Sequence, residues 1–484
     1  MVVDVSRTTF EPASLAVLTR RYGAGAPRVV ELIRRTRGCT SPIRLVGESI
    51  AASASSGEVL ARRSTEAEAP GFVLTACGNR RASRCPPCSE IYRRDAYFLV
   101  AAGLTGGEAK GVSPSVASHP VVFATLTAPS FGSVHRRVVR GARVLRCRTT
   151  GTAEQCEHGV SARCLDRHAE GDFRIGQALC PDCYDYEAAA VWNAAFGSLW
   201  RRTVTYLPRE LAALARLSVR ALRSQVRVTY AKVAEFQARG VVHVHTVVRL
   251  DGPDGPETAP TAWATAQRLA EAVGRAAARV SVTVEGSSGR ELVVRWGEQI
   301  DVRPITPDLA DGSVSQTAVA GYIAKYATKD AQVAGGLDRR IRYERQIQLA
   351  DVTEHARRLM SSAWGLSPRW AHSFGFRGHF LTKGRRYSVT FRALRGARAA
   401  FREQADPWLA EVRTRARGGE VVILRALRYA GSGLSPAEQA VAASIRSSAT
   451  SPGVGRDSSA VATSDVLRMP RWAGVHWSRD RASP

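Results

Sequence analysis

The sequence predicts an α+β fold, with an antiparallel β-sheet whose one face is covered by helices. Segments rich in β-branched residues predict strands at 122–129, 233–249 and 291–304. Apolar residues at helical spacing predict helices at 187–223, 264–279 and from Val314 onward. Strands and helices mixed along the chain in this way fit an antiparallel sheet with helices packed against it.

The strand segment 233–249 contains two histidines, His243 and His245. Side chains alternate between the two faces of a strand, so both imidazoles lie on one face. A three-residue loop that ends in glycine predicts a hairpin, which places Glu235 opposite His243. Two imidazoles and a third ligand, Glu235 or Gln237, would form a site for Mg²⁺ or Mn²⁺ with open coordination positions.

The segment 321–330 contains a tandem Tyr-x-x-Lys. Tyr322 and Tyr326 are four residues apart, so they lie on the same face of a helix. Lys325 and Lys329 each follow a tyrosine by three residues. The chain has five lysines and 64 arginines, and two of the five lysines are found here. This pattern indicates a functional helix rather than a packed aromatic face alone.

A threonine-rich strand, Val-Phe-Ala-Thr-Leu-Thr-Ala-Pro at 122–129, precedes both motifs. The order of threonine strand, histidine strand and tyrosine helix resembles the HUH endonuclease family, specifically its rolling-circle replication initiators. The pattern of cysteines and histidines is similar to that of initiators from actinobacterial plasmids and integrative elements. The resemblance covers about residues 121–330 and implies an HUH endonuclease core built on the antiparallel sheet.

The resemblance also implies a reaction. The two histidines and their third ligand would hold the catalytic ion. One of the two tyrosines would attack a DNA phosphodiester, forming a 5′-phosphotyrosine link and releasing a 3′-hydroxyl that primes replication. One of the two lysines would stabilise the phenolate or the phosphate charge, because a free tyrosine has a pKa near 10.

Clustered cysteines and histidines predict structural zinc. Two Cys-x-x-Cys motifs would supply one tetrathiolate site, formed by Cys85, Cys88, Cys180 and Cys183. A second site would be formed by Cys156, His158, Cys164 and His168. Cys77 and Cys147 are further candidates that could replace any of these ligands.

The composition points to a nucleic-acid partner. The net charge is +26 and the isoelectric point is about 10.6, which favours a polyanion. No run of about 18 apolar residues and no signal peptide is found, so we expect a cytoplasmic protein with reduced cysteines. A P-loop motif is also missing, so we expect a host helicase to unwind the DNA.

Two segments contain no acidic residue. The first, 109–153, has arginines spaced as on one side of a helix that contacts phosphates: Arg136, Arg137, Arg140, Arg143, Arg146 and Arg148. The second, 365–402, combines basic residues with aromatic residues, a pattern typical of a nucleic-acid surface.

These features predict five regions: an N-terminal region (1–70) in which 51–70 is a linker or a mobile surface segment, a cysteine-rich zinc module (71–190), the endonuclease core (191–345), a basic DNA-binding region (346–445) and a mobile tail (446–484). Two other functions compete with the initiator. An HUH transposase shares the metal strand and a tyrosine, but the tandem tyrosines favour the initiator. A zinc-dependent DNA-binding regulator explains the charge and the cysteines, but it gives no role to the histidine strand or the tyrosine helix.

Overall fold

A computed structural model describes residues 10–107, 110–148, 155–305, 315–329, 331–404 and 406–450. The parts of the predictions that concern residues 1–9, 108–109, 149–154, 306–314, 330, 405 and 451–484 lie outside these ranges. The chain forms two compact units: unit 1 comprises residues up to 96 together with those from 390, and unit 2 comprises 97–389. This division does not coincide with the boundaries expected from composition, because unit 1 is assembled from both ends of the chain.

Thirteen strands are found in the described residues. In chain order they are β1 (Ile43–Ser53), β2 (Val59–Ser64), β3 (Val73–Thr75), β4 (Val121–Leu126), β5 (Val138–Arg140), β6 (Arg143–Leu145), β7 (Arg227–Phe236), β8 (Val242–Asp251), β9 (Ser281–Glu285), β10 (Glu291–Arg295), β11 (Ile300–Pro304), β12 (Leu381–Lys383) and β13 (Val421–Ser432).

Twelve α-helices are found in the same residues. They are α1 (Pro12–Tyr22), α2 (Ala26–Arg35), α3 (Pro86–Thr105), α4 (Tyr186–Leu214), α5 (Val219–Arg223), α6 (Ala266–Arg279), α7 (Gln316–Ala327), α8 (Arg345–Gln348), α9 (Glu354–Leu366), α10 (Phe391–Gln404), α11 (Pro407–Arg415) and α12 (Pro436–Thr450). None of the helices in the described part of the chain is long and apolar enough to span a membrane. The α+β class with antiparallel sheets is therefore confirmed.

The main sheet of unit 2 has five antiparallel strands in the order β11-β4-β8-β7-β12. The predicted hairpin is confirmed, because β7 pairs with β8 and Glu235 lies opposite His243. Gly240 closes the hairpin loop with φ +73°, a conformation that glycine adopts without strain. The threonine strand is confirmed as β4, which pairs with the other side of β8 and places Thr125 opposite His245.

The two faces of this sheet have different contents. On one face, apolar residues of β8 such as Val242 and Val244 pack with Trp192 and Phe196 of α4. Asn193 of α4 is fully buried and fixes the end of the hairpin: its side-chain amide nitrogen donates to the Gly240 carbonyl oxygen at 2.9 Å. Its amide oxygen accepts from the backbone nitrogen of Val242 at 2.9 Å. Burial of this apolar face fixes which residues of β8 point to the other face.

The other face contains the histidines, and it is also covered. Tyr322 of α7 lies over His245, and Arg249 of β8 contacts the Gly103 carbonyl oxygen of α3. The expectation that helices pack on one face only was therefore wrong. The reason is that the tyrosine helix must cross the histidine face for its hydroxyl groups to approach the imidazoles.

The sheet of unit 1 is formed by β13, β1 and β2 in that order, and β3 also pairs with β1. Helices α1, α2 and α12 share an apolar core, and its buried residues include Leu18, Val29, Ile33, Val441 and Ile445. Of the two alternatives for 51–70, the linker was wrong, because this segment contains the end of β1 and all of β2. The pairing β1–β13 joins distant parts of the chain, for example Ala51 and Ile423, which are 372 positions apart.

Two further expectations are corrected. The arginines at 136–148 do not form a helix; they lie on and around the antiparallel hairpin β5–β6. The segment 291–304 is two strands rather than one. Its first part, β10, pairs with β9, whereas β11 pairs with β4 at the edge of the main sheet.

Candidate active site and metal centres

Three side chains of the hairpin β7–β8 converge on one point. Glu235 Oε2 lies 3.0 Å from His243 Nε2 and 3.2 Å from His245 Nε2, and the two imidazole nitrogens are 3.1 Å apart. His245 is almost fully buried, with 4% of its side chain exposed, whereas Glu235 and His243 are 12% and 15% exposed. One carboxylate and two imidazoles that converge from one side fit a divalent ion with open positions.

The pKa values of Glu235 and His245 suit metal binding. Burial by itself would raise the pKa of Glu235, but the hydrogen bonds with His243 and His245 hold that pKa at about 2. Burial and the neighbouring His243 lower the pKa of His245 to about 4, although Glu235 acts to raise it. At neutral pH, Glu235 is therefore an anion and His245 is a neutral imidazole, which are the forms that coordinate metals.

Of the two possible third ligands, Glu235 is the one that lies against the imidazoles. The Gln237 amide oxygen instead accepts a hydrogen bond from Arg239 Nε at 2.9 Å. Arg239 also donates to two backbone carbonyl oxygens, those of Pro129 and Ala128, at 2.9 and 3.1 Å. These contacts hold the hairpin loop against the segment that follows β4.

Both tyrosines of α7 lie over the histidine face. Tyr322 Oη is 3.2 Å from His245 Nε2, and the rings of Tyr322 and Tyr326 are 4.5 Å apart. Burial raises the pKa of Tyr322, and the neighbouring Tyr326 and the negative charge of Glu235 raise it further. Burial and Glu235 also raise the pKa of Tyr326. Either phenol therefore needs a nearby positive charge before it can act as a nucleophile.

The two lysines of the motif are placed differently. Lys329, just beyond the end of α7, forms an ion pair with Glu235 Oε1 at 3.2 Å, and its Nζ lies 4.2 Å from the centre of the Tyr326 ring. Lys325 is exposed, and its Nζ lies 5.8 Å from the centre of the same ring. Lys329 is thus the closer of the two to the carboxylate and to Tyr326.

Thr125 of β4 contacts the back of the site. Its Oγ1 lies 3.0 Å from His245 Nδ1, on the opposite side of the ring from Glu235. If Nε2 is the ligand atom, Nδ1 holds the proton and donates it to Thr125 Oγ1. A partner of this kind fixes the tautomer and the orientation of a metal-binding histidine.

A second kind of group consists of four cysteines in unit 1: Cys39, Cys77, Cys85 and Cys88. The Sγ–Sγ distances are 3.7 Å for Cys77–Cys88, 3.7 Å for Cys85–Cys39 and 3.6 Å for Cys88–Cys39. Four sulfurs placed around one Zn²⁺ at about 2.3 Å would lie about 3.8 Å apart. The spacing therefore fits a tetrahedral ion without rearrangement.

Unit 2 contains two more groups of four. One consists of His135, Cys147, Cys164 and His168, and the other of Cys156, His158, Cys180 and Cys183. In the first, His135 Nδ1 is 3.2 Å from His168 Nε2, and His168 Nδ1 is held by Asp172 at 2.8 Å. In the second, His158 Nδ1 is 3.2 Å from Cys183 Sγ. All nine cysteines of the chain are free thiols and belong to these three groups.

The structure thus groups the cysteines and histidines differently from the sequence-based pairing. Cys85 and Cys88 do not share a group with Cys180 and Cys183, because each Cys-x-x-Cys meets ligands from its own unit. The other predicted set is divided as well: Cys156 and His158 meet Cys180 and Cys183, whereas Cys164 and His168 meet the ends of the hairpin β5–β6.

Three residues that belong to, or contact, the candidate metal sites were missed in the sequence analysis. Cys39 stands 38 residues before the next cysteine, and His135 lies in the arginine-rich segment with no cysteine beside it. Thr125 is one of two threonines in its motif, and only the pairing with His245 distinguishes it. The number of cysteines could have indicated the missing ligands. Nine cysteines are not a multiple of four, so closed sites with four ligands each must also use histidines.

The chain matches known replication initiators over most of its length. Residues 25–447 match a family profile described as RepSA: Replication initiator protein, pSAM2. A replication initiator protein of Streptomyces ambofaciens is 44% identical over 453 residues, which cover 90% of this chain and 94% of that relative. No solved structure matches this chain significantly.

Proposed function

The chain belongs to the RepSA family of replication initiator proteins, and on this premise we propose that it starts rolling-circle replication by nicking one strand of its origin DNA. The observation that carries the proposal is the distance of 3.2 Å between Tyr322 Oη and His245 Nε2. A candidate nucleophile therefore lies beside a group of three metal ligands, as an HUH-type strand transfer requires.

Glu235, His243 and His245 would hold Mg²⁺ or Mn²⁺, since their ligand atoms converge and the shifted pKa values of Glu235 and His245 leave these two residues in the forms that coordinate metals. The bound ion would polarise the scissile phosphate and offset the charge that develops on it. Thr125 would keep Nε2 of His245 directed at the ion by accepting a hydrogen bond from Nδ1.

In the proposed step, Oη of Tyr322 attacks the scissile phosphorus. A bond forms between Oη and phosphorus, and the bond from phosphorus to the 3′ oxygen breaks. The proton lost by the phenol is balanced by the proton gained by the leaving 3′ oxygen. The products are a 5′-phosphotyrosine and a free 3′-hydroxyl, which is the primer that a polymerase extends.

Lys329 is the better placed of the two lysines to assist, because its ammonium group lies beside both Glu235 and the Tyr326 ring. Lys325 would act from the solvent side of the same helix. Tyr326, with its ring 4.5 Å from that of Tyr322, would serve a second strand transfer that closes the displaced circle.

The three closed groups would hold structural Zn²⁺. Each offers four protein ligands, so no position is left for a substrate. The net charge of +26 supports binding to origin DNA through its phosphates. The motif for a nucleotide-binding P-loop is missing from the sequence, so the host would supply the helicase.

The test is a search for the covalent adduct. Purified protein is incubated with Mn²⁺ and single-stranded oligonucleotides that together cover the replicon encoding it, and products are separated on a denaturing gel. We expect one oligonucleotide to be cut and to remain attached to a peptide that contains Tyr322. Binding of the origin with no adduct on any strand would instead support the zinc-dependent regulator. Cutting at the ends of a mobile element would support the transposase.

A further inference from the structure

The hairpin β5–β6 is enclosed by metal-binding residues. His135 lies three residues before β5, and Cys147 lies two residues after β6. Both belong to the group completed by Cys164 and His168. A single ion in this group would join the two ends of the hairpin, so that the hairpin is held at its base by coordination rather than by an apolar core.

This hairpin base is attached to the part of the sheet that contains the metal-binding hairpin β7–β8. The backbone of His135 exchanges hydrogen bonds of 2.8 Å with Gln177 and Gly176. Gly176 in turn packs so closely on Ala238 that an added Cβ would lie 2.3 Å from the Ala238 carbonyl carbon. Ala238 belongs to the loop that ends at Gly240, and three residues of strand, about 10 Å, separate Gly240 from His243.

The hairpin presents positive charge to solvent. Arg140 and Arg143 flank its turn, Arg146 follows β6, and all three side chains are exposed. The nearby acids Asp166 and Asp172 pair with Arg174 instead. In the part of the chain that the structure describes, no acidic partner is found for the three arginines. Unpaired cations at this density repel one another, so the arrangement costs stability unless an anion binds.

We propose that the hairpin β5–β6, through Arg140, Arg143 and Arg146, binds the phosphate backbone of duplex DNA beside the nick site. The proposal rests on the proposed nicking function. Duplex DNA is the partner for two reasons. The hairpin has no aromatic residue on which the bases of a single strand could stack. A two-stranded ribbon also has a width that the major groove admits.

The test removes the three charges in Arg140→Gln/Arg143→Gln/Arg146→Gln. Affinity is measured by fluorescence anisotropy, over a range of salt concentrations, for a duplex of about 30 base pairs and for a single strand of equal length. We expect the affinity for the duplex to fall about tenfold or more at physiological salt. We also expect the slope of log affinity against log salt to become shallower by about one to three. The affinity for the single strand should change less.

The matched control is Arg209→Gln/Arg220→Gln/Arg223→Gln, which removes three exposed arginines from α4 and α5. An equal loss in this control, or an unchanged salt slope in the hairpin variant, would overturn the proposal. If the triple glutamine variant has a lowered melting temperature, the single variant Arg143→Glu is tested in its place and should also weaken duplex binding. A further variant, Arg140→Lys/Arg143→Lys/Arg146→Lys, keeps the three charges and should retain most of the affinity for the duplex.

Nicking of a short single-stranded oligonucleotide separates this proposal from the proposed function. At an oligonucleotide concentration that saturates both proteins, the hairpin variant should still form the adduct on the peptide that contains Tyr322. If wild-type protein forms no adduct, the proposed function fails; if it forms the adduct and the hairpin variant binds duplex normally, only the hairpin proposal fails.

Discussion

The open group of Glu235, His243 and His245 and the three closed groups contain similar residues in different arrangements. The open group is built on two paired strands, has three ligands, and faces two tyrosines. The closed groups each have four ligands that come largely from loops, hairpin ends and helix starts. Under the proposed function, regular secondary structure positions the reactive site, whereas the proposed zinc ions would take the place of an apolar core where the chain has little secondary structure.

The largest effect is expected at the open group. His243→Ala should lower the nicking rate by about a thousandfold or more, because the ion loses a ligand. Binding to duplex DNA and the melting temperature should change little, since His243 packs in no apolar core. The measurements are adduct formation with Mn²⁺ and duplex affinity on the same preparation. A parallel loss of binding would make His243 a structural residue.

The two tyrosines offer a contrast within one helix. Tyr322→Phe should abolish the first covalent adduct, because it removes the hydroxyl group that lies 3.2 Å from His245. Tyr326→Phe should lower the rate at which the first covalent adduct forms by less than about tenfold. Peptide mapping of the adduct decides between them, and the reverse result would assign the first nick to Tyr326.

At a closed group, the expected change is in stability and metal content. Cys39→Ser should remove one of three structural zinc ions per chain, which atomic absorption would count. It should also lower the free energy of unfolding by about 3 kcal/mol or more, because the site folds around its metal. Cys183→Ser, in a different group, should also remove one ion. If Cys39→Ser keeps all its zinc, Cys39 is not a ligand.

The smallest effect is expected at Thr125, which contacts His245 of the open group on the side opposite Glu235. Thr125→Val should weaken Mn²⁺ binding about ten- to a hundredfold, because His245 Nδ1 loses its hydrogen-bond partner. Thr125→Ser keeps the hydroxyl group and should restore most of the affinity. Calorimetry of Mn²⁺ binding measures both variants without any reaction. Equal affinities for the valine and serine variants would show that the hydroxyl group does not position His245.

The local sequence pattern was sufficient to predict the placement of side chains that belong to a single hairpin or a single helix. Alternation along a strand placed His243 and His245 on one face, and the glycine loop fixed Glu235 opposite His243; the structure confirms this register. The four-residue spacing placed Tyr322 and Tyr326 on one helix face, and their rings are in contact. Each of these inferences needed only the geometry of one hairpin or one helix.

Contacts between distant segments were decided by the tertiary structure. The strand pairing of β1 with β13, the cysteine groups and the contact of Thr125 with His245 all join residues that are far apart in the sequence. The sequence determined which residue types can bind metal or attack a phosphate. It could not determine which of them meet, because loop closure depends only weakly on chain length and the packing of the whole chain selects the partners.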